Sequence, residues 1–214
     1  MTTDIMRNLT VCSSSTWSDA LDRAGVQGVV HGLRHVTGAL PFGGRAVTVR
    51  QETAALGTHP GEAFDVPAIL AAVSDGDVLV IDLGGAPVSS FGGLAARAAA
   101  RRGLAGVLVD GGCRDVDEIQ ATGLGVCSRH ITPLSGKRRI RTLEINGAIA
   151  CGGVSVRAGD FIVADATGIV VVPANRYDEV LAIARDIDRR DRAFAQAIGE
   201  GGDFKAIARS LGHL

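Results

Sequence analysis

Aromatic residues are scarce in this 214-residue sequence: they make up 4% of it, with one Trp, one Tyr and six Phe. The interior must therefore be built from the smaller apolar residues among the 46% that are hydrophobic. An excess of charge is also missing, since the net charge is −1. Bulk electrostatics then attract neither nucleic acid nor an anionic membrane. We expect neither of them among the partners of this protein.

Long apolar runs and cysteine pairs are absent as well. Segments such as 78–83 and 168–174 are strand-sized, far short of the ~20 residues that cross a bilayer. No basic stretch followed by an apolar one opens the sequence, so no secretory signal is predicted. The cysteines form no CxxC pair, which favours reduced thiols over disulfides or a zinc site; they are Cys12, Cys113, Cys127 and Cys151. These features predict a cytoplasmic protein.

One stretch has the pattern of a βαβ unit. Buried strands are predicted at 78–83 and 106–110, with an Ala-rich helix from about Gly92 to Arg102 between them. Strands joined by such a crossover lie parallel. Because the carboxyl ends of parallel strands meet at one edge, Arg114 and Asp115 should lie beside the start of that helix. Open α/β sheets bind ligands at this edge.

The remaining pattern predicts one α/β domain over residues 1–214, without linker or repeat. Turn residues separate three short apolar strands at 154–156, 160–163 and 168–172, which indicates an antiparallel meander. A long amphipathic helix should follow from 177 to 197, with Asn175 as its cap. Earlier in the chain we expect a short helix after Ser13, a strand at 45–50 and a short helix at 66–73.

The edge near Gly92 carries groups of complementary chemistry. Arg114 offers a fork of donors for a carboxylate, and free N–H groups at the helix start favour negative charge. Asp115 offers oxygens to a hard cation such as Mg²⁺, with waters completing the shell. The alternative is a purely structural role, in which Arg114 and Asp115 form a local ion pair and Asp115 caps a helix.

The same residues carry a resemblance to a known family. Phe91-Gly92-Gly93-Leu94-Ala95, then Asp110-Gly111 and Arg114-Asp115-x-x-Glu118, are similar to the signature of the RraA-like family. That family includes divalent-metal-dependent 4-hydroxy-4-methyl-2-oxoglutarate / 4-carboxy-4-hydroxy-2-oxoadipate aldolases and the regulator of ribonuclease E activity A. The similarity covers roughly residues 12–175; its other segments are Ser18-Asp19-Ala20-Leu21-Asp22, Gly44-Arg45-Ala46-Val47-Thr48-Val49, Gly152-Gly153-Val154-x-Val156-x-x-Gly159-Asp160 and Ala164-Asp165-x-x-Gly168-x-Val170-x-x-Pro173.

The resemblance implies a β/β/α swivelling-type fold with a family-like core at about 12–175 and a C-terminal helix at about 176–198. It implies a homotrimer or hexamer with active sites at subunit boundaries. Arg114 would contact the substrate, Asp115 would hold Mg²⁺, Mn²⁺ or another divalent cation, and Glu118 would lie behind them. Backbone amides would bind pyruvate-like oxygens, and they belong to Gly92, Gly93, Leu94 and Ala95.

The activity implied is retro-aldol cleavage of a small 2-oxo-4-hydroxy acid to pyruvate and a second oxo acid. Oxaloacetate decarboxylation passes through the same enolate and is an expected side activity. Gly93 departs from the pattern, because many family members have Glu, Asp or Asn there. Glu200 is a candidate acidic residue contributed by a neighbouring subunit. The alternative function is a non-catalytic regulatory protein of the ribonuclease E inhibitor type.

Two further patterns predict no site. His31 and His35 are four residues apart, but Gly32 lies between them and no third ligand is evident, so an ordinary loop is expected. The basic residues Lys137, Arg138, Arg139 and Arg141 lack interleaved aromatics and are expected to form a solvated face.

Overall fold

A ten-stranded sheet lies at the centre of the computed structural model, which describes residues 9–211. The strands are β1 (Val29–Val30), β2 (Arg34–Thr37), β3 (Phe42–Thr53), β4 (Val78–Asp82), β5 (Ser89–Phe91), β6 (Gly106–Cys113), β7 (Gly125–Ile131), β8 (Ile140–Ile145), β9 (Ile149–Cys151), β10 (Val154–Val156), β11 (Phe161–Ala164) and β12 (Ile169–Val172). The helices are α1 (Ser14–Arg23), α2 (Val66–Ala71), α3 (Gly93–Arg101), α4 (Val116–Gln120), α5 (Tyr177–Gly199) and α6 (Phe204–Leu211), with 3-10 turns at Gly61–Phe64 and Ala174–Arg176.

The long strand β3 joins the two halves of this sheet. The strand order is β1-β12-β11-β3-β4-β6-β7-β2, while β5 pairs with β6 and β8 pairs with β3. The first residues of β3 pair antiparallel with β11, and its middle pairs parallel with β4. Its last residues pair antiparallel with β8. The sequence predicted only the middle of this strand, at 45–50.

The predicted βαβ unit is present as β4, α3 and β6. Strands β4 and β6 are parallel neighbours, with Val80 opposite Leu108. Both of these side chains are fully buried, as expected for a strand covered on both faces. Strand β6 continues to Cys113, beyond the predicted end at Asp110. Its extra residues pair with β5 and carry the chain directly to Arg114.

Three apolar layers hold the sheet. Helices α2, α3 and α4 cover one face of the β3–β4–β6–β7 region, where Ile69, Ala96 and Ile119 are buried. The two-stranded β9–β10 sheet contributes Ile149 and Val156 to the cluster on the other face. Helices α1 and α5 pack on β11 and β12 through a separate cluster that includes Trp17, Phe161 and Val180.

Two local predictions were wrong. Strands β11 and β12 form the expected antiparallel pair, but β10 pairs with β9 instead of joining a three-stranded meander. The reason is local, since Gly152 and Gly153 both have positive φ and close a tight β9–β10 hairpin. Asn175 does not cap α5, because it lies inside the 3-10 turn that precedes the helix. The N-cap position of α5 is Arg176, whose side chain instead pairs with Glu179.

Within residues 9–211, no helix is both long enough and apolar enough to cross a membrane.

Candidate active site

The candidate site lies where β5 and β6 end side by side. The backbone N–H of Arg114 donates to the carbonyl of Phe91 at 3.0 Å, which fixes the end of β6 beside the start of α3. The helix begins at Gly93 with Gly92 in the N-cap position. A Cβ on Gly92 would lie 2.8 Å from a carboxylate oxygen of Asp115, so a side chain there would displace this carboxylate. The glycine therefore allows Asp115 to approach the helix start.

Asp115 connects the amino ends of two helices. It occupies the N-cap position of α4 with a left-handed φ of 57°, a region that Asp tolerates better than most residues. Its side chain makes no capping hydrogen bond to α4. Instead, Oδ2 accepts the N–H of Gly93 in the first turn of α3 at 3.2 Å. The amino end of a helix favours such a negative charge.

The structure contains the contacts of the structural interpretation and also leaves both side chains accessible. The ion pair of the structural alternative exists, since Nε of Arg114 lies 3.4 Å from Oδ2 of Asp115. The carboxylate also caps a helix, but that helix is α3 and not α4, which Asp115 itself precedes. Both side chains remain about one-third exposed, at 36% and 34%. Both polar contacts of Asp115 fall on Oδ2, so Oδ1 is available to a ligand.

A pocket of about 240 Å³ opens beside this pair. Among the predicted site residues, five line it: Gly92, Leu94, Ala95, Arg114 and Asp115. The structure adds residues that sequence reasoning missed: Phe64, Val66, Ser89, Ser90, Ser135, Gly136 and Lys137. They come from three separate segments of the chain. The sequence predicts Lys137 on a solvated basic face, and this is wrong for Lys137, whose place in the pocket has no local signal in the sequence.

Gly93 and Glu118 differ from the other predicted site residues because they do not line the pocket. Gly93 is buried, is not among the lining residues, and gives its N–H to Asp115. A Cβ on Gly93 would lie 2.7 Å from the Cβ of Glu118, so the two residues share one space. The Glu118 carboxylate is half exposed and lies 3.7 Å from a guanidinium nitrogen of Arg97. An acidic side chain at position 93 could not fit this packing without a shift of α4.

A buried chain of hydrogen bonds ties the floor of the pocket to its wall. The Ser90 hydroxyl donates to the side-chain oxygen of Gln51, and both residues are almost fully buried. Gln51 Nε2 donates to the Thr142 hydroxyl at 3.1 Å. That hydroxyl in turn donates to the carbonyl of Phe64 at 2.7 Å. The network is satisfied at each step, as buried polar groups require, and it holds Phe64 against the site.

Asp110, part of the sequence motif, has a structural role behind the pocket. Its buried carboxylate accepts Nε of Arg129 at 2.6 Å and the N–H of Gly152 at 2.7 Å. The hydrogen bond to Asp110 raises the pKa of Arg129. These contacts join β6 to β7 and to the β9–β10 hairpin, so Asp110 supports the site from outside the reaction centre.

The donor set suits a hydrated divalent cation. The structure describes no cluster of three or more His, Cys, Asp and Glu side chains within residues 9–211. Asp115, which lines the pocket, therefore offers a single carboxylate, and its two contacts given above both involve Oδ2. Mg²⁺ is commonly held by one or two carboxylates, retained waters and substrate oxygens. The residues present thus fit Mg²⁺ or Mn²⁺ bound mainly through water, and they do not form an all-protein cage.

Comparison with known proteins agrees with the motif. A profile of the RraA-like family, described as Aldolase/RraA, matches residues 14–171. The chain belongs to the RraA-like family. A protein of Alcanivorax borkumensis, provisionally named a 4-hydroxy-4-methyl-2-oxoglutarate aldolase, is 33% identical over 150 residues, or 68% of this chain and 87% of that one. A protein of Methanocaldococcus jannaschii is 36% identical over 117 residues, 55% of this chain. The match spans 56% of that relative, about half of its length.

The fold also agrees with solved structures. The crystal structure of Streptomyces coelicolor RraAS2, described as an unusual member of the RNase ES inhibitor RraA protein family, superposes with a TM-score of 0.81. It is 26% identical in sequence, and the superposition covers 90% of this chain and 97% of that one. This RraA-like protein therefore has the mixed α/β fold, with its long C-terminal helix, that the sequence predicted.

The remaining predicted residues fall outside the pocket. His35 lies in strand β2 and not in the expected loop, and its ring is 3.2 Å from the carbonyl of Gly38. Arg141 pairs with Glu52 at 2.7 Å. Glu200 is the C-cap residue of α5 and accepts a hydrogen bond from Gln196. The four cysteines are free and buried, and burial raises the pKa of the Cys127 thiol to about 12.

Proposed function

We propose that this protein is a divalent-metal-dependent lyase that cleaves a small 2-oxo-4-hydroxy acid to pyruvate and a second oxo acid. The observation that carries the proposal is the position of Asp115. Its carboxylate bridges Arg114 and the amino end of α3 at the mouth of a pocket, and it makes no cap on its own helix. The pocket lined by Arg114, Asp115 and the start of α3 gives a ligand access to these groups. The relatives named as aldolases support the same reaction class.

The residues of the pocket supply binding and charge stabilisation. Arg114 is placed to hold the substrate carboxylate or its keto oxygen with its fork of donors. The free N–H groups of Leu94 and Ala95 in the first turn of α3 favour the same anionic groups. Asp115 would hold the cation through Oδ1 and waters. When bound, the divalent cation supplies Lewis-acid polarisation of the keto oxygen.

The proposed reaction balances within this site. The 4-hydroxyl loses its proton, the C3–C4 bond breaks, and its electron pair moves into the enolate of pyruvate, which takes a proton at C3. The described residues that line the pocket include no His and no Glu. On this proposal the proton passes through water held near Asp115. Arg114 would stabilise the enolate charge, an effect that is typically large in enclosed polar sites.

The test is pyruvate release, coupled to lactate dehydrogenase, from oxaloacetate and from 4-hydroxy-4-methyl-2-oxoglutarate. We expect turnover with Mg²⁺ and none after chelation. Arg114→Lys keeps the charge and loses the fork, so kcat/KM should fall roughly 100-fold, in the range seen for lost oxyanion donors. Arg101→Lys, at the opposite end of α3, is the matched control and should stay close to wild type. Equal activity of the two variants would contradict the assigned role.

A regulatory binding role is the second candidate. It is favoured by the likeness to Streptomyces coelicolor RraAS2, whose family is described as RNase ES inhibitors, and by Gly93, which stands where many family members have Glu, Asp or Asn. On this proposal the protein slows RNA cleavage by a ribonuclease of the E type without any pyruvate release. An unchanged cleavage rate at a large excess of this protein would reject it.

A further inference from the structure

A second cavity adjoins the candidate active site. It has a volume of about 550 Å³ and lies between the 61–67 segment and the pair Lys137 and Arg138. Phe64, Val66 and Lys137 line both cavities, so the two spaces are direct neighbours. We call the second one the side groove. The pocket at Arg114 is small by the standard of ligand sites, whereas the two spaces together reach the usual range.

The side groove has an apolar wall. Phe64 and Val66 are half-buried, and Phe64 packs against the buried cluster of Leu83, Val88 and Ile140. Pro67 extends this wall into the first turn of α2. The acidic Asp65 is already engaged, since it accepts the N–H of Ala68 as the cap of α2 at 3.2 Å. Such a wall favours contact with hydrocarbon.

Hydrogen bonds hold both sides of the side groove in place. The carbonyl of Phe64 accepts the Thr142 hydroxyl, at the end of the buried chain that starts at Ser90 in the pocket floor. On the other side, the Arg138 carbonyl accepts the N–H of Gly57 at 2.9 Å. These hydrogen bonds therefore fix the distance between the two sides of the side groove.

We propose that the side groove binds the substituent at C4 of the substrate, and that this substituent is an extended apolar group longer than methyl. The inference rests on the proposed function, which places the oxo-acid head beside Arg114 and Asp115. From there the carbon chain leads past Phe64 and Val66, the apolar residues among the three that line both cavities. Burial of each methylene in the side groove stabilises the complex, and full burial is worth about fourfold in affinity.

Calorimetric titration with straight-chain 2-oxo acids tests the inference without requiring turnover. These acids lack the 4-hydroxyl and are not cleaved. With Mg²⁺ present, affinity should rise about tenfold or more from 2-oxobutanoate to 2-oxooctanoate, less than full burial gives because the side groove is open. Affinity that is flat or falls along this series overturns the inference.

Two variants that fill the side groove test whether the gain in affinity with chain length arises there. Pro67→Phe and Gly61→Phe each add a ring to a residue that lines the side groove only. A Cβ on Gly61 meets no atom within 4 Å, so this variant keeps the test valid if Pro67→Phe disturbs α2. Both should abolish the chain-length gain, while Leu56→Phe on the neighbouring exposed loop retains it. A gain unchanged in both filling variants contradicts the inference.

Oxaloacetate decarboxylation separates this inference from the proposed function. Oxaloacetate has no C4 substituent of this kind, so its turnover depends on the Arg114 pocket alone. Turnover of oxaloacetate without a chain-length gain rejects the side groove and leaves the lyase. A chain-length gain without any pyruvate release rejects the lyase and leaves the groove as a binding site for apolar oxo acids.

Discussion

Gly93 is the residue at which this chain departs from the aldolase pattern, and its space is taken by Glu118. Many family members have Glu, Asp or Asn at this position, and here the carboxylate of Glu118 approaches it from α4. The Arg97 guanidinium, 3.7 Å from the Glu118 carboxylate, provides a weak partner at the surface. At this position the chain keeps a carboxylate near the start of α3 but presents it from a different element.

Gly93→Ala should therefore destabilise the protein. Its Cβ would lie 2.7 Å from the Cβ of Glu118, which belongs to a helix and cannot simply rotate away. Overpacking of this kind costs about 1–3 kcal/mol. Gly199→Ala is the matched control, because a Cβ there meets nothing within 4 Å and Ala is the better helix former. Urea unfolding that shows equal stability for the two variants would contradict this account of Gly93.

At the scale of secondary-structure elements, Asp165 connects the β11–β12 turn to the amino end of α1. It accepts the N–H and the hydroxyl of Ser14, both at 2.7 Å, and the N–H groups of Thr167 and Gly168 in its own turn. Burial alone would raise the pKa of Asp165, but these hydrogen bonds outweigh it and lower the pKa below its ordinary value of 3.8.

A lowered carboxyl pKa stabilises the fold above the ordinary value, and the stabilisation is lost as pH falls through the lowered value. Asp165→Asn should reduce the free energy of unfolding by about 2 kcal/mol at pH 7, the scale of hydrogen bonds to a charged group. The difference from wild type should shrink as pH falls below 3.8. Asp22→Asn, exposed on α1, is the control. If the loss of unfolding free energy in Asp165→Asn does not depend on pH, the charge of Asp165 has no part in this contact.

The sequence predicted elements where local pattern decides the structure. The βαβ unit follows from two apolar runs around an Ala-rich helix, and parallel pairing then brings Arg114 and Asp115 to Gly92. The turn at Asp165 was also predicted, but its contact with Ser14 was not, because the two residues are 151 positions apart. Phe64 and Lys137 reach the pocket through packing between distant segments. No periodicity in a single sequence reports such proximity.

At the scale of the whole molecule, exposed apolar side chains surround the candidate site. Leu94 is 81% exposed in the first turn of α3, and Ile131 at the end of β7 is 64% exposed. Leu134, next to the pocket-lining Ser135, is 40% exposed. Exposed apolar surface beside a functional site is typical of subunit contacts. We propose that copies of this chain meet here, as the expected homotrimer or hexamer requires.

Light scattering measures this assembly directly. A trimer or a hexamer of the 22.0 kDa chain should appear, at about three or six times that mass. Ile131→Asp places a charge in the proposed contact and should lower the mass to that of the monomer. Val11→Asp, 53% exposed beside α1, should leave the assembly intact. A monomeric wild-type protein would contradict the proposed contact.

The most direct test of the central claim compares Asp115→Asn with Asp117→Asn in metal-dependent pyruvate release from oxaloacetate. Asp117 is exposed two residues further along, in the first turn of α4, so the pair controls for the loss of one negative charge. The account predicts that Asp115→Asn loses about 100-fold or more in kcat/KM and most of its response to Mg²⁺. Asp117→Asn should keep both. Full metal-dependent turnover in Asp115→Asn would contradict the assignment of Asp115 and, with it, the proposed lyase site.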